Sequence, residues 1–365
     1  MNKINNKSSR ICIYLPSFDR GGVSKITLNL INFFVYKKKK VVLITSNINK
    51  KLLIKSKYLE IVTYKSSKNN FFSSLLNSFF SAILLFNNLK KNDKILSMQN
   101  HLFSIFISLI KKNKIIIRNS EEIIGATKYS DNIVNACLVF ITKIIFYQFA
   151  YKIIALSRLS RQSLKKIVFN KKKIKIIYNP YIIKKGKFYK KKYNKNKAFN
   201  IISTGRLVKQ KNFEMLINVI KKIAAENVKI NLLIIGSGYK KNSLEKLIKN
   251  SKFIKIKSWK KNLKKYYKNA NLFILSSLYE GSPNVLLDAI NNSTPILASN
   301  CSGVTDILQK DIKYIFKIND YYDLEKKLKN IINDYDASVN KLKLTHINLK
   351  KYSINNSKQY LKLIS

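Results

Sequence analysis

The chain has 365 residues, 46% of them apolar, which suits roughly two domains of ~150–200 residues with a core each and excludes a disordered chain. Lysine and arginine number 71 against 18 acidic residues, a net charge of +53, so partners are expected among anions: nucleic acid, anionic lipid or phosphorylated substrates. An A- and T-rich genome yields the same lysine excess, and the lysine runs at 37–40, 171–175 and 260–268 form no single stripe, which favours compositional drift over a dedicated nucleic-acid surface.

Short β-branched runs alternate with longer amphipathic ones, the pattern of parallel α/β architecture. In the first half, strands are predicted at 10–15, 41–45, 60–64, 94–98, 114–118, 152–156 and 174–178. Between them, "FFSSLLNSFFSAILLF" (71–86) is too short to span a bilayer, and its serines recur at helical spacing. It and the stretch 133–150 read as core or domain-packing helices, with membrane docking as the alternative. The basic, aperiodic segment 181–197 reads as a linker.

Alternation then restarts, with strands predicted at 199–204, 229–235, 253–257, 271–276 and 295–299. A helix from Asn212 puts Phe213, Leu216, Ile217, Ile220 and Ile223 on one face. The economical division is an N-terminal Rossmann-like domain at 1–180, a linker at 181–197, a second Rossmann-like domain at 198–340 and a helical tail at 341–365 that can pack back on the first domain. Three widely spaced cysteines, Cys12, Cys137 and Cys301, each in apolar or small-residue sequence, read as buried reduced thiols of a cytosolic protein. The N-terminus lacks the apolar core of a signal peptide, and no zinc-ligand spacing exists.

Open parallel sheets bind ligands beyond the carboxyl ends of their strands. Only nine glycines exist, and seven of them (21, 22, 205, 236, 238, 281 and 303) fall just after predicted strands. A chain so sparing of glycine keeps it where backbone geometry or close ligand approach requires it. Gly21-Gly22 opens a helix after the first strand, where free N–H groups face an anion or a plain tight turn suffices. "STGRLVKQKN" places Arg206 and Lys211 beside Gly205, a planar fork and a compact charge suited to a diphosphate. Gly236-x-Gly238 follows the next strand but lacks the third glycine of a dinucleotide fingerprint.

The richest stretch is "SSLYEGSPNVLLDAI" (276–290). Ser282 reads as a helix N-cap with Pro283 at the first helical position, leaving the N–H groups of Asn284, Val285 and Leu286 unpaired for an anion. Glu280, held by the flexible Gly281, and Asp288 on the helix can accept hydrogen bonds from polyol hydroxyls. Phosphates at the amides and hydroxyls at the carboxylates fit a sugar nucleotide; an ordinary first-turn Glu and a solvent Asp are the plainer alternative.

This stretch resembles the Glu-x7-Glu motif of retaining GT-B glycosyltransferases, family 4. "FDRGGVSKITLNLINFF", "YKIIALSRLSRQSL", "IKIIYNP", "STGRLVKQKNFEMLINVI", "LLIIGSGYKKNSLE" and "SNCSGVTDIL" resemble further landmarks of that family in the same order. The resemblance implies a GT-B fold, two doubly wound Rossmann-like domains facing across a cleft. It implies that Arg206 and Lys211 bind the donor diphosphate, that Glu280 contacts the transferred sugar and that Gly281, Ser282, Pro283, Asn284, Val285 and Leu286 hold sugar and phosphate. Asp288, where the family usually has Glu, would meet the ribose, and Gly21 and Gly22 would close on the diphosphate; Gly205, Gly236 and Gly238 belong to the same donor mouth. Asp19, His101, Arg118 and Asn119 are the candidates for the acceptor side.

The expected reaction moves a sugar from a nucleotide-diphosphate sugar, with UDP the favoured carrier, to a hydroxyl of a saccharide or lipid-linked saccharide in cell-envelope polysaccharide synthesis. Charge on the leaving diphosphate is stabilised by Arg206, Lys211 and the helix start, with no cofactor and no metal. Asp334-Tyr335-Asp336 is the sole Asp-x-Asp and sits in the helical tail, away from any strand end. Retention comes from the resemblance; an inverting enzyme would need a base such as Asp19, His101 or Glu121. The expected location is the cytoplasm, with peripheral attachment to the inner face of the cytoplasmic membrane left open. A basic nucleic-acid-binding protein and a non-catalytic sugar-nucleotide binder are the competing classes.

Overall fold

The computed structural model describes residues 9–18, 21–46, 48, 53–64, 71–309 and 311–364, with 71–76 described by backbone alone. Chain contacts divide it into two compact units. One comprises residues up to 120, 137–183 and 352 onward; the other comprises 121–136 and 184–351.

The first unit is built on a parallel sheet of β1 (Ile11–Leu15), β2 (Val41–Ser46), β3 (Leu59–Tyr64), β4 (Lys94–Ser97), β5 (Lys114–Asn119), β6 (Lys152–Ala155) and β7 (Ile174–Ile176). The spatial order is β3-β2-β1-β4-β5-β6-β7. Strands β1 and β2 are buried along their whole length, which is why they read as unbroken apolar runs and not as alternation. Helices α1 (Gly22–Tyr36), α2 (Phe71–Asn88) and α3 (His101–Ile110) supply crossovers. After β5 come α4 (Ile123–Lys128) and α5 (Ile133–Phe146), and after β6 comes α6 (Arg158–Ile167).

The second unit holds a parallel sheet of β8 (Phe199–Thr204), β9 (Ile230–Ile235), β10 (Ile254–Lys257), β11 (Leu272–Leu275), β12 (Ile296–Ser299) and β13 (Ile315–Phe316), ordered β10-β9-β8-β11-β12-β13. Helices α7 (Phe213–Ala225), α8 (Lys241–Leu247), α9 (Lys264–Asn269), α10 (Asn284–Asn291) and α11 (Val304–Leu308) connect the strands. Helices α12 (Tyr321–Asn333) and α13 (Tyr335–Ile347) follow, and α14 (Ser357–Ile364) ends the chain within the first unit.

Several boundaries differ from those expected. Only 352 onward joins the first unit: the Tyr181 and Ile182 amides donate to the Tyr352 carbonyl at 2.9 Å, Ile354 N–H donates back to Ile182, and α14 packs on α1. The stretch 341–351 stays with the second unit. The basic segment 181–197 is no free linker. Lys191 is buried and its ammonium donates to the carbonyls of Tyr267 (2.7 Å) and Ala270 (2.5 Å) and to Thr294 Oγ1 (3.2 Å), while Gly186 N–H donates to Asn291 Oδ1 at 2.7 Å. Three acceptors converging on one ammonium hold it in place, although burial pushes its pKa down to about 7. Lysine was legible as charge and not as a tether.

Cysteines 12 and 301 are buried, but Cys137 is exposed on α5, against the expectation of three buried thiols. The reason lies in its helix, of which no residue is buried. Within the stretch 133–150, burial is confined to the turn after α5, at Tyr147 and Ala150. Among the described residues no helix is long and apolar enough to cross a membrane.

Candidate functional site

Each sheet has one topological switch point. In the second unit the chain moves from β8 to β9 and β10, then returns to the other side of β8 with β11. The loops after β8 and β11 therefore diverge around a crevice at the strand ends, the usual ligand position in such sheets. These are the loops carrying Arg206, Lys211 and Glu280.

The structure brings Lys211 and Glu280 together: the ammonium donates to Glu280 Oε1, and both residues are at least nine-tenths buried. Ser277 Oγ donates to the same carboxylate oxygen at 2.8 Å. Serine hydroxyls tie the surrounding strand ends, Ser276 to the Lys211 carbonyl (2.7 Å) and Ser299 to the Ser277 carbonyl (2.6 Å). A buried carboxylate facing a buried ammonium is well held only with such further hydrogen bonds.

Arg206 is exposed, and its Nη2 donates to Gln210 Oε1 at 3.1 Å. Gln210 in turn donates to the Tyr279 carbonyl at 2.8 Å, next to Glu280. The Tyr279 hydroxyl is pushed up to about 12, chiefly by burial and then by the charge of Glu121, with Arg206 pulling the other way. Sequence reasoning missed Ser277 and Gln210. Their signals were local: a hydroxyl three residues before Glu280, and an amide one helical turn after Arg206.

The glycines there hold loop against loop. A Cβ on Gly236 would lie 1.9 Å from the Gly205 carbonyl oxygen, and one on Gly205 would meet the Lys211 side chain at 3.0 Å. Gly238 adopts φ 157° beside the Leu207 backbone, and Gly303, at φ 84°, backs onto Pro283 and Ser282.

The start of α10 corrects the expected cap. The helix begins at Asn284 with Pro283 as its flanking residue, and no side chain caps it. Pro283 (φ −78°, ψ 84°) makes an inverse γ-turn in which Asn284 N–H donates to the Ser282 carbonyl at 2.9 Å; Leu286 N–H donates to the Pro283 carbonyl at 3.0 Å. So two of the three amides expected to be open are used by the loop itself. Val285 N–H has no such acceptor among the described residues. Asp288 is half-buried, and its charge adds to burial in raising the pKa of Tyr267, which shares a 3.0 Å hydrogen bond with Thr204 Oγ1.

Segment 121–136 was not anticipated here. Tyr239 donates to Asp131, Lys209 Nζ donates to the Ser130 carbonyl at 3.0 Å, and Glu122 caps α4. A Cβ on Gly125 would overlap that of Tyr279 at 2.8 Å, so α4 lies directly on the Glu280 loop. Among the described residues no three His, Cys, Asp or Glu side chains gather as a metal site. Asp334 instead caps α13 through Ala337 N–H (3.2 Å).

In the first unit the switch lies between β1 and β4. Gly21 flanks the start of α1 with nothing within 4 Å of an added Cβ, Gly22 is the first residue of α1, and His101 opens α3 after β4. Asp19 lies outside the described residues. His101 Nδ1 shares a 2.8 Å hydrogen bond with Ser97 Oγ. Burial, then Lys143 and Arg118, lower its pKa to about 3, so the ring is neutral at physiological pH and binds a proton weakly. Between pH 6.5 and 3 the unfolded chain binds the proton and the folded one does not, so stability falls as pH drops through that window. Chemical denaturation at pH 7 and pH 4 should show a smaller loss for His101→Gln than for the parent.

Arg118 and Asn119 are not surface groups. Both are 1% exposed; Arg118 Nη2 donates to Asn179 Oδ1 at 2.6 Å, and Asn119 is bonded to Tyr147 and Ser160. Arg118 Nε and Nη1 are buried without a hydrogen-bond partner among the described residues.

Two parallel sheets with paired switch points, a cation–carboxylate pair at the second, and similarity along the whole chain to solved glycosyltransferases define the GT-B fold. Residues 185–346 match the model of the family described as glycosyl transferases group 1. An uncharacterised glycosyltransferase of Methanocaldococcus jannaschii is 30% identical over 48% of this chain and 47% of its own length. The capsular polysaccharide biosynthesis glycosyltransferase CapM of Staphylococcus aureus is 30% identical over 39% of this chain and 40% of its own. The chain thus matches less than half the length of these relatives. Among solved structures, Anabaena HepE in complex with UDP and glucose superposes with a TM-score of 0.73 at 13% identity, covering 97% of this chain and 98% of that one. Sucrose-phosphate synthase from Thermosynechococcus elongatus reaches 0.79 at 13% identity, covering 97% and 98%.

Proposed function

We propose that the protein transfers a sugar from a nucleotide-diphosphate sugar, with UDP as the carrier, to a hydroxyl of a saccharide or lipid-linked saccharide, with retention and without a metal. The observation that carries this reading is the meeting of Lys211, Glu280 and the Arg206–Gln210 pair at the switch point of the second sheet. Arg206 is exposed and free to turn from Gln210 to a diphosphate. Lys211, buried against Glu280, is a fixed positive charge that stabilises the departing diphosphate oxygen. Glu280 accepts from a sugar hydroxyl while Ser277 and Lys211 fix its orientation, and Asp288 receives ribose hydroxyls. The backbone of Gly281 to Leu286 closes on sugar and phosphate, with Val285 as the amide donor. Glu121 and Asp131 are further carboxylates whose charges act on Tyr279.

The solved HepE complexes with UDP support a uridine carrier, and the relatives in capsular polysaccharide synthesis support a saccharide acceptor. Donor hydrolysis and transfer, followed by release of UDP, test the reading. Activity should fall ~10²–10³-fold in Glu280→Ala and Arg206→Ala, the usual cost of losing one charge-stabilising group, and persist in Lys249→Ala. Because Arg206 is exposed, its variant should melt within about 0.5 kcal/mol of the parent, so lost turnover there cannot be ascribed to unfolding.

A further inference from the structure

We propose that the first unit docks on an anionic lipid bilayer through the outward faces of α2, α3 and α5. This deepens the proposed function by supplying the surface on which a lipid-linked acceptor would be met, and it rests on that reading only for the acceptor.

Connections that cross a parallel sheet in one direction lie on one face, because such crossovers are right-handed. The chain moves from β3 to β4, to β5 and to β6 in a single direction, so α2, α3 and α5 share a face. The β1-to-β2 connection runs the other way, which puts α1, and α14 upon it, on the opposite face. Helix α2 packs beside α3, and α3 packs against the turn that ends α5, where Tyr147 meets His101 edge-on at 5.9 Å.

This face is apolar where it is bare. On α2, Phe79 and Phe80 are half exposed; on α3, Phe106 and Ile110 are 55% and 53% exposed. Helix α5, "IVNACLVFITKIIF", buries nothing, and Leu138, Ile141 and Ile145 are each at least half exposed. Scattered apolar residues are ordinary on a surface, but three adjacent helices of them mark an interaction face.

Charge selects the occupant. None of the three helices contains Asp or Glu. Lys111 holds its ammonium 4.0 Å over the Phe86 ring, Lys143 stands within α5, and Lys90, Lys91 and Lys112 are exposed beside the helix ends. Apolar helix faces rimmed by lysine lie in the headgroup boundary of anionic bilayers, with ammonium groups reaching the phosphates. A second copy would bring an equally basic, acid-free face against this one and be repelled.

Cys137 is exposed on α5 while Cys12 and Cys301 are buried, so a thiol-reactive, environment-sensitive fluorophore labels this face alone. The labelled full chain is titrated with phosphatidylcholine vesicles and with vesicles that also contain phosphatidylglycerol. Docking predicts a blue-shifted, brighter emission with the anionic vesicles, weakened by salt, and a loss of at least about tenfold in vesicle affinity in Ile141→Ser/Ile145→Ser. Co-sedimentation with no emission change would mean adsorption by charge alone and would overturn the proposal. So would no binding, or an emission change that follows protein concentration without lipid, the mark of self-association. A melting-temperature rise with UDP-sugar, read on the same samples, keeps failure of docking separate from failure of the transferase reading.

Discussion

Lys211→Met should cost the second unit about 3–5 kcal/mol, because it strands the buried Glu280 carboxylate with Ser277 as its only other side-chain partner among the described residues. The double variant Lys211→Met/Glu280→Gln should recover most of that loss, since an apolar chain facing a neutral amide leaves no unpaired charge. Donor hydrolysis should be lost in both. Equilibrium denaturation followed beside UDP release separates the two effects: stability returns and catalysis does not. If the double variant were as unstable as the single one, the pair would be no coupled unit and the electrostatic account of this site would fail.

Gly236→Ala is the second large effect. Its methyl carbon would sit 1.9 Å from the Gly205 carbonyl oxygen, a backbone atom that cannot rotate away, so one loop must shift. Overpacking of this kind costs about 1–3 kcal/mol or more. The same loop carries Arg206 and Lys211, and a displacement of ~1 Å in a catalytic group is worth ~10²-fold in rate. Melting temperature and donor hydrolysis should therefore both drop. Gly21→Ala is the contrast, with open space for its methyl and φ −148°, so its stability should be unchanged.

Strand positions were legible because parallel strands buried on both faces leave continuous apolar runs, as at "VVLIT" and "LFIL". β13 escaped, since two residues make no pattern. The rarity of glycine pointed to loops at the strand ends, and the structure gives a packing reason for part of it: Gly236, Gly238 and Gly303 are demanded by neighbouring backbone or by Pro283 before any ligand arrives. Glu280 and Lys211 were legible as charges and not as a pair, because 69 residues separate them and only the switch point joins them. The α10 start was misread because Ser-Pro looks like a cap in sequence, whereas Pro283 closes a γ-turn with ψ 84°. Arg118 and Asn119 looked available because polarity is visible in sequence and burial is not. Segment 121–136 could not be assigned to the second unit from local pattern, since its partners, Lys209, Tyr239 and Tyr279, lie far along the chain.

The most direct measurement is the melting temperature of the parent and of Arg206→Ala across a panel of UDP-, GDP- and ADP-sugars, because a ligand bound only to the folded chain raises it. One nucleotide class, with UDP the expected one, should stabilise the parent and do little for the variant. Equal shifts in both proteins, or no shift with any sugar nucleotide alongside a strong shift with nucleic acid, would contradict a diphosphate site at the second switch point.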